Sequence, residues 1–384
     1  MKGFDRARVA VMATGACAFL EMYVTQALLP ELRRVFDASI GAVSLTVTVT
    51  TLAVALVAPF AGGLADRHGR KPVLLAAIAL LAVATAGSAS AGSLDALLVW
   101  RALQGAVIPG IFASAVAYIA EEWPPAEAGG VASLYIAGAI FGGFCGRFIA
   151  GLITAAAGWR VAFLVLGALN LAVLGIVTAW LPRSRAFSRA RSWLDSLAGI
   201  GGHLRNPPLR ATYAIGFALL FSLVGSFTYI DFYLSAAPFE LGTHELSFIF
   251  FVYLVGMAVT PMSGTWALRY GVREVGLAAL AVSGAGLLLT LIPRLPVVIA
   301  GLALGSLGVF ITQSLATATV PRLASAARSS AVGLYLTCYY LGGSAGASLP
   351  AALWPLGGWP SCVALILAVQ SGAAFLVSRF WPEH

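Results

Sequence analysis

The sequence predicts an all-α membrane protein: 12 transmembrane helices in two parallel six-helix bundles related by a pseudo-twofold axis. Three observations carry this: the composition, the punctuation of the apolar runs, and an internal repeat. Of 384 residues, 60% are apolar and only 10% charged, with mean hydropathy +0.92. Soluble domains are about 45–50% apolar and about 25% charged. The natural unit here is therefore the span of roughly 20 apolar residues that crosses about 30 Å of hydrocarbon.

Hydropathy and turn residues divide the first half into spans at about 9–29, 40–62, 72–91, 94–120, 130–154 and 159–181. The second half gives about 210–236, 244–267, 274–292, 295–320, 329–353 and 359–381. The first run follows Lys2, Arg6 and Arg8 but continues past a plausible cleavage point, which makes it a spanning helix and not a signal peptide. Most connections are short, so consecutive helices are antiparallel neighbours. The exception, 182–209, separates an N-terminal bundle (1–181) from a C-terminal one (210–384). In that linker Trp193, Leu194, Leu197, Ile200 and Leu204 recur at helical spacing beside Arg189 and Arg191, as in a helix lying on a membrane surface. A flexible basic linker is the alternative.

Net charge is +8, and its distribution explains it. With both termini in the cytoplasm, the inner loops hold Lys2, Arg6, Arg8, Arg67, Arg70, Lys71, Arg183, Arg185, Arg189, Arg191, Arg205, Arg210, Arg269, Arg273, Arg322, Arg328 and Arg379. The outer loops hold Arg33, Arg34, Arg160 and Arg294. Such an excess of inner Lys and Arg sets topology in a bacterial-type inner membrane. It does not call for nucleic acid. The cysteines Cys17, Cys145, Cys338 and Cys362 sit inside apolar runs without metal-binding spacing, and read as buried inert thiols. No cofactor or metal is expected.

Set against itself at an offset of 200, the chain matches. LYIAGAIFGGFCGR (134–147) lies over LYLTCYYLGGSAGA (334–347), Gly158-Trp159 over Gly358-Trp359, and Gly105 over Gly305. Gly62 meets Gly264 after a two-residue slip. Six spans is an even number, so both copies have the same orientation. Parallel six-helix repeats are a transporter architecture.

Between the second and third spans stands GGLADRHGRK (62–71), a cluster of charge between two runs that avoid it. Gly69 permits a tight reversal, and Arg67, Arg70 and Lys71 anchor topology. Asp66 is not explained by topology. At the C-terminal end of a helix the macrodipole disfavours a negative charge. Asp66 therefore calls for an external partner, an Arg or another helix's N-terminus, and a partner present in only one conformation would make it a gate latch with Gly62, Asp66, Arg67, Gly69, Arg70 and Lys71 as the gating segment.

This stretch resembles the signature loop of the major facilitator superfamily, G-x-L-A-D-R-x-G-R-K. ALLVWRALQGAVIPG (96–110) resembles that superfamily's fourth-helix motif, and EMYVTQALLPEL (21–32) the first-helix motif of its drug:proton antiporters. GAIFGGFCGRFIAG (138–151) resembles the antiporters' fifth-helix motif, with Gly142-Gly143 where Gly-Pro is usual. The second-half copy of the loop, SGTWALRYGVR, has Leu268 where Asp66 would stand. The resemblance implies a twelve-helix secondary transporter of the antiporter branch.

Four ionisable residues fall within spans: Glu21, Arg101, Arg147 and Asp231. Each costs about 2.5–3.5 kcal/mol at a bilayer centre on insertion scales, so function is the default reading and a structural Arg–carboxylate pair the alternative. Glu21 shares a helix face with Cys17, Thr25 and Leu28, and Asp231 one with Phe227, Thr228 and Ser235. Matching ALLPEL (27–32) to AAPFEL (236–241) brings the two acids within one position of each other in the repeat. Tyr23, Thr25, Phe227, Tyr335 and Tyr339 join Asp231 and Arg147 as expected substrate contacts, and Glu21 with Arg101 forms the expected proton-coupling site.

The function expected is export of a small organic or drug-like molecule against proton entry, by a monomer working in a lipid bilayer. The alternatives are proton symport of a sugar or organic acid, with Arg101 and Arg147 binding a carboxylate, and, remotely, an intramembrane enzyme. The chain lacks HExxH and GxxxxGK[ST], and its single GxSxG match, 342–346, is the glycine-rich stretch inside the span at 329–353.

Overall fold

The computed structural model describes residues 3–184, 200–324 and 328–382. Described residues are helical wherever they are regular. α1 (Gly3–Met22) is followed by a 3-10 turn (Val24–Leu28) and α2 (Leu29–Val35); then come α3 (Ile40–His68), α4 (Arg70–Ser88), α5 (Leu94–Glu122), α6 (Pro125–Ala157) and α7 (Trp159–Trp180). The second half has α8 (Ile200–Arg205), α9 (Pro207–Leu234), α10 (Thr243–Ile249), α11 (Val252–Val259), α12 (Ser263–Tyr270), α13 (Val272–Leu289), α14 (Leu295–Leu323), α15 (Arg328–Ser348) and α16 (Pro350–Phe380).

Ten stretches among the described residues are single helices, or one interrupted helix over 243–270, long and apolar enough to cross a membrane. An eleventh is the bent pair running through α1, the 3-10 turn and α2, angled by 43°. α15, rich in Tyr, Gly and Ser, supplies the twelfth. The interrupted and bent spans differ from the unbroken helices expected at 9–29 and 244–267. In the eighth span α10, α11 and α12 are separated at Phe250-Phe251 and by a 3-10 turn at Thr260–Met262, where Pro261 lacks the N–H a continuing helix needs. The surface helix expected over the linker falls largely outside the described residues; of its apolar positions, Ile200 and Leu204 lie on the short α8.

The chain folds as two compact units, residues 1–38 with 49–193, and 39–48 with 194–384. Within each, the repeat is built into the packing. In the first unit α6 lies against α1 at three glycines: a Cβ at Gly138, Gly142 or Gly146 would stand 2.1, 2.2 or 1.9 Å from the carbonyl oxygens of Met12, Ala16 and Leu20. In the second unit α15 lies against α9 the same way, with Gly342 and Gly346 at 2.0 and 2.3 Å from the carbonyl oxygens of Phe217 and Phe221. Small residues four apart let helix backbones touch, which is how spans associate where no water drives them together.

Glycines also make the reversals. Gly69 (φ 97°) joins α3 to α4 and Gly271 (φ 91°) joins α12 to α13, while Gly158 (φ 89°) starts α7 and Gly358 (φ 59°) kinks α16 just before Trp359. A backbone at positive φ is open to glycine and strained for other residues.

Candidate functional site

α1 ends in mid-span because Tyr23 (φ −121°, ψ 14°) leaves helical geometry. A helix that stops in the membrane exposes its last carbonyls. Arg101 of α5 answers them: its Nη1 donates to the Glu21 carbonyl at 2.8 Å and its Nη2 to the Met22 carbonyl at 2.9 Å. A guanidinium suits this place, where the helix dipole favours positive charge. Nη1 also donates to Gln104 Oε1, one turn on, and the Arg101 carbonyl accepts from the Thr50 hydroxyl at 3.2 Å. Both Glu21 and Arg101 are fully buried.

The Glu21 side chain enters a network of neutral groups. Oε1 accepts from Asn170 Nδ2 of α7 at 3.0 Å, and Asn170 Oδ1 accepts from the Cys17 thiol at 3.2 Å. Gln104 Nε2 donates to Thr85 Oγ1 of α4 at 2.9 Å, which brings the chain of bonds back to Arg101. Oε2 of Glu21 is buried with no hydrogen-bond partner. This acid is thus half-satisfied, next to a cation that is held by main-chain carbonyls. The sequence reading found Glu21 and Arg101. It missed Asn170, Gln104 and Thr85, whose only signal was a polar residue in an apolar run.

Past the break, Arg147 of α6 lies over the Tyr23 ring, 4.7 Å from its centroid, close enough for a cation–π contact. Arg147 Nε donates to Gln26 Oε1 at 2.8 Å and its Nη1 donates to the Gly143 carbonyl. Thr25 Oγ1 is buried there without a hydrogen-bond partner. Tyr23, Thr25 and Arg147 therefore belong to one region around the break. The break also corrects the expected face: Thr25 lies in the 3-10 turn, outside the helix that carries Cys17 and Glu21.

In the second unit Asp231 is fully buried on α9. One turn earlier Phe227 packs on Tyr253 (4.6 Å between centroids) and Phe250 (5.8 Å). Tyr335 is buried, donates to Gln313 Oε1 at 2.7 Å, and stacks on Tyr339 at 6.1 Å. The expected pairing of Glu21 with Asp231 in the repeat does not hold. Gly146 seats on Leu20 and Gly346 on Phe221, so the equivalent of Glu21 is Ser222. Asp231 lies about two and a half turns further along its helix.

The segment 62–71 is a helix–glycine–helix junction and not a loop. Gly62, Asp66 and Arg67 belong to α3, Arg70 and Lys71 open α4, and Gly69 alone stands between. Asp66 of α3 pairs with Arg70, the first residue of α4. Arg70 is shared: its Nη2 is 2.6 Å from Glu121 Oε1 of α5, and its Nε reaches both Glu121 oxygens at 3.1 and 3.2 Å. Lys71 donates to the carbonyls of Thr178, at 2.9 Å, and Leu181 at the end of α7, a second cation on a helix C-terminus. Space is open around Gly62, with nothing within 4 Å of a Cβ there.

A family model, Major Facilitator Superfamily, matches residues 11–241. The chain belongs to that superfamily. It is a multi-pass membrane transporter, then, and not an enzyme. Its relatives extend over nearly the whole length. The MFS-type transporter YybF of Bacillus subtilis is 33% identical over 364 residues, 94% of this chain and 90% of that one. The inner membrane transport protein YnfM of Escherichia coli K12 is also 33% identical, over 97% of this chain and 90% of the relative. Among solved structures, a bacterial homologue of the human lysosomal transporter Spinster, inward-facing and unoccupied, superposes with TM-score 0.79 at 16% identity, covering 99% of this chain and 98% of that one. At that identity the likeness is one of fold.

Proposed function

We propose that this transporter exports a small organic compound in exchange for protons, with Glu21 as the proton carrier. The observation that carries the reading is the state of Glu21: a carboxyl inside a spanning helix, fully buried, with Oε1 held by Asn170 and Oε2 free of hydrogen bonds. An acid so placed can take a proton without breaking a bond already made. It sits at the break in the first span, and interrupted helices are where transporters of other folds place ion and substrate sites. The antiporter-like stretch 21–32 begins at this residue.

In this reading Arg101 holds the break and sets the field at Glu21, while Tyr23, Thr25 and Arg147 touch substrate from the first half. In the second half Asp231, Phe227, Tyr335 and Tyr339 are the proposed substrate contacts, and Asp231 favours cations. The chain works as a monomer in the inner membrane, its termini on the side where Lys and Arg accumulate. The halves 1–181 and 210–384, joined by 182–209, each form one bundle. In inverted vesicles, an imposed pH gradient should collapse when a transported compound is added. A screen of cations, anions and neutral compounds that leaves the gradient intact for every class would contradict proton exchange.

A second reading, proton symport of an organic acid, draws on Arg147. The guanidinium is buried beside Tyr23 and Gln26, a setting in which a carboxylate could be recognised. Substrate entering with protons, instead of against them, would favour it.

A further inference from the structure

The second unit contains a cavity of about 10 Å³ among α9, α13, α14 and α16, lined by Ser222, Ser226, Ser283 and Gln370 with Phe227 and Leu302. A cavity holds water only if it has both room for one and polar groups to bind it; about 10–15 Å³ is the lower limit for a single molecule. Gln370 meets the second condition. It is 4% exposed, its Nε2 donates to Ser283 Oγ at 2.9 Å, and its Oε1 is buried with no hydrogen-bond partner.

The repeat explains why that oxygen is orphaned. Gln370 follows Trp359 as Asn170 follows Trp159, so the two amides are equivalent. Asn170 is served chiefly by α1: its oxygen accepts from Cys17 and its nitrogen donates to Glu21, with a longer bond to Thr85 of α4. By the register of Leu20 with Phe221, the corresponding residues on α9 are Ala218 and Ser222. Ala218 has no donor to offer, and Ser222, shorter than a glutamate, turns its hydroxyl back to the Ala218 carbonyl at 2.7 Å. Arg101 is likewise replaced by Gly301, at which a Cβ would stand 2.5 Å from the Gly286 carbonyl, so no side chain enters from α14 there. The acid and the cation are gone, and Gln370, its amide oxygen unanswered, lines the space left behind.

We infer that this cavity holds one buried water molecule, bound to Gln370 Oε1 and the neighbouring serine hydroxyls, at the position the first half gives to the Glu21 carboxylate. A leftover buried acceptor carries the desolvation cost of an unmade hydrogen bond, and a water with two to four partners removes it. The second half then keeps a neutral, hydrated copy of the first half's charged network.

Bound waters generate hydroxyl radicals locally under pulsed X-rays, so the full chain in nanodiscs can be labelled and read by mass spectrometry. Phe227 and Leu302, 1% and 2% exposed, should be modified in the wild type despite their burial. Gln370→Leu should lower that labelling several-fold while leaving other positions unchanged. If Gln370→Leu does not fold, Ser226→Ala, which removes another lining hydroxyl, should lower it in the same direction. Labelling should be equal in sodium and choline buffers. Unmodified Phe227 and Leu302 in the wild type, or full labelling in the variants, would overturn the inference. Loss of labelling on adding sodium would overturn it as well, by assigning the cavity to a cation.

Discussion

Arg101 donates to the main-chain carbonyl of Glu21 at 2.8 Å, so the buried cation of α5 meets the buried acid of α1 at the point where that helix stops. The residue proposed to bind the proton is also one whose backbone is held by the guanidinium. A change of charge on the Glu21 side chain is therefore felt by the group that fixes the break.

That arrangement needs the planar fork of an arginine, which serves two successive carbonyls and Gln104 together. A lysine is a point charge on a flexible stem and cannot reproduce it. Arg101→Lys should keep the charge yet lower transport at least tenfold, with a measurable fall in thermal stability. Wild-type transport and melting in this variant would reduce Arg101 to a counter-charge.

The glycine contacts of the two halves should respond alike. At Gly142, Gly146, Gly342 and Gly346 a Cβ would collide with main-chain oxygens, which cannot move aside. Overpacking of this kind costs about 1–3 kcal/mol. Each change to alanine should lower the melting temperature clearly, whereas Gly62→Ala and Gly175→Ala, with nothing within 4 Å, should be close to neutral. Thermal unfolding of the purified variants in one detergent ranks them directly.

At the α3–α4 junction, Arg70 joins two acids, Asp66 and Glu121. Its side chain is 9% exposed and theirs 34% and 25%. Asp66→Asn removes one partly solvated pairing and should cost only about 1 kcal/mol. Arg70→Ala leaves both carboxylates without the cation and should cost more than the two acid-to-amide changes separately. If Asp66 latches a conformation, Asp66→Asn should also slow transport and raise the labelling of cysteines introduced near the junction. Unchanged labelling and rate would leave the junction as a structural anchor.

Asp231 is fully buried on α9, and its proposed role is charge recognition. Asp231→Asn should weaken binding of cationic compounds at least tenfold and of neutral ones much less. Equal loss for both classes, measured by equilibrium binding, would point to a structural role instead.

Much of this architecture was legible because it rests on single residues with one physical meaning. Gly142 and Gly342, Gly158 and Gly358, and the Gly69 reversal mark close approach or positive φ, and each fell where the repeat put it. Less legible were features decided by tertiary partners. Nothing local at Tyr23 ends α1; the break is tolerated because Arg101, eighty residues on, satisfies the freed carbonyls. The junction looked like a loop because charge normally ends a span, yet Asp66, paired with Arg70, and Arg67 both remain within α3. The match of Glu21 with Asp231 followed local sequence at 27–32 and 236–241. Backbone contact at Gly146 and Gly346 sets another register, which side-chain resemblance does not reveal.

The central claim is that Glu21 carries the coupled proton, and Glu21→Gln in proteoliposomes tests it most directly. An amide keeps the bond to Asn170 and cannot ionise. In the wild type, substrate affinity should rise with pH as the proton leaves Glu21 and no longer competes. In Glu21→Gln, binding should persist without that pH dependence, and an imposed pH gradient should drive no transport. Gradient-driven transport at the wild-type rate, with the wild-type pH dependence of binding, would place the coupled proton elsewhere.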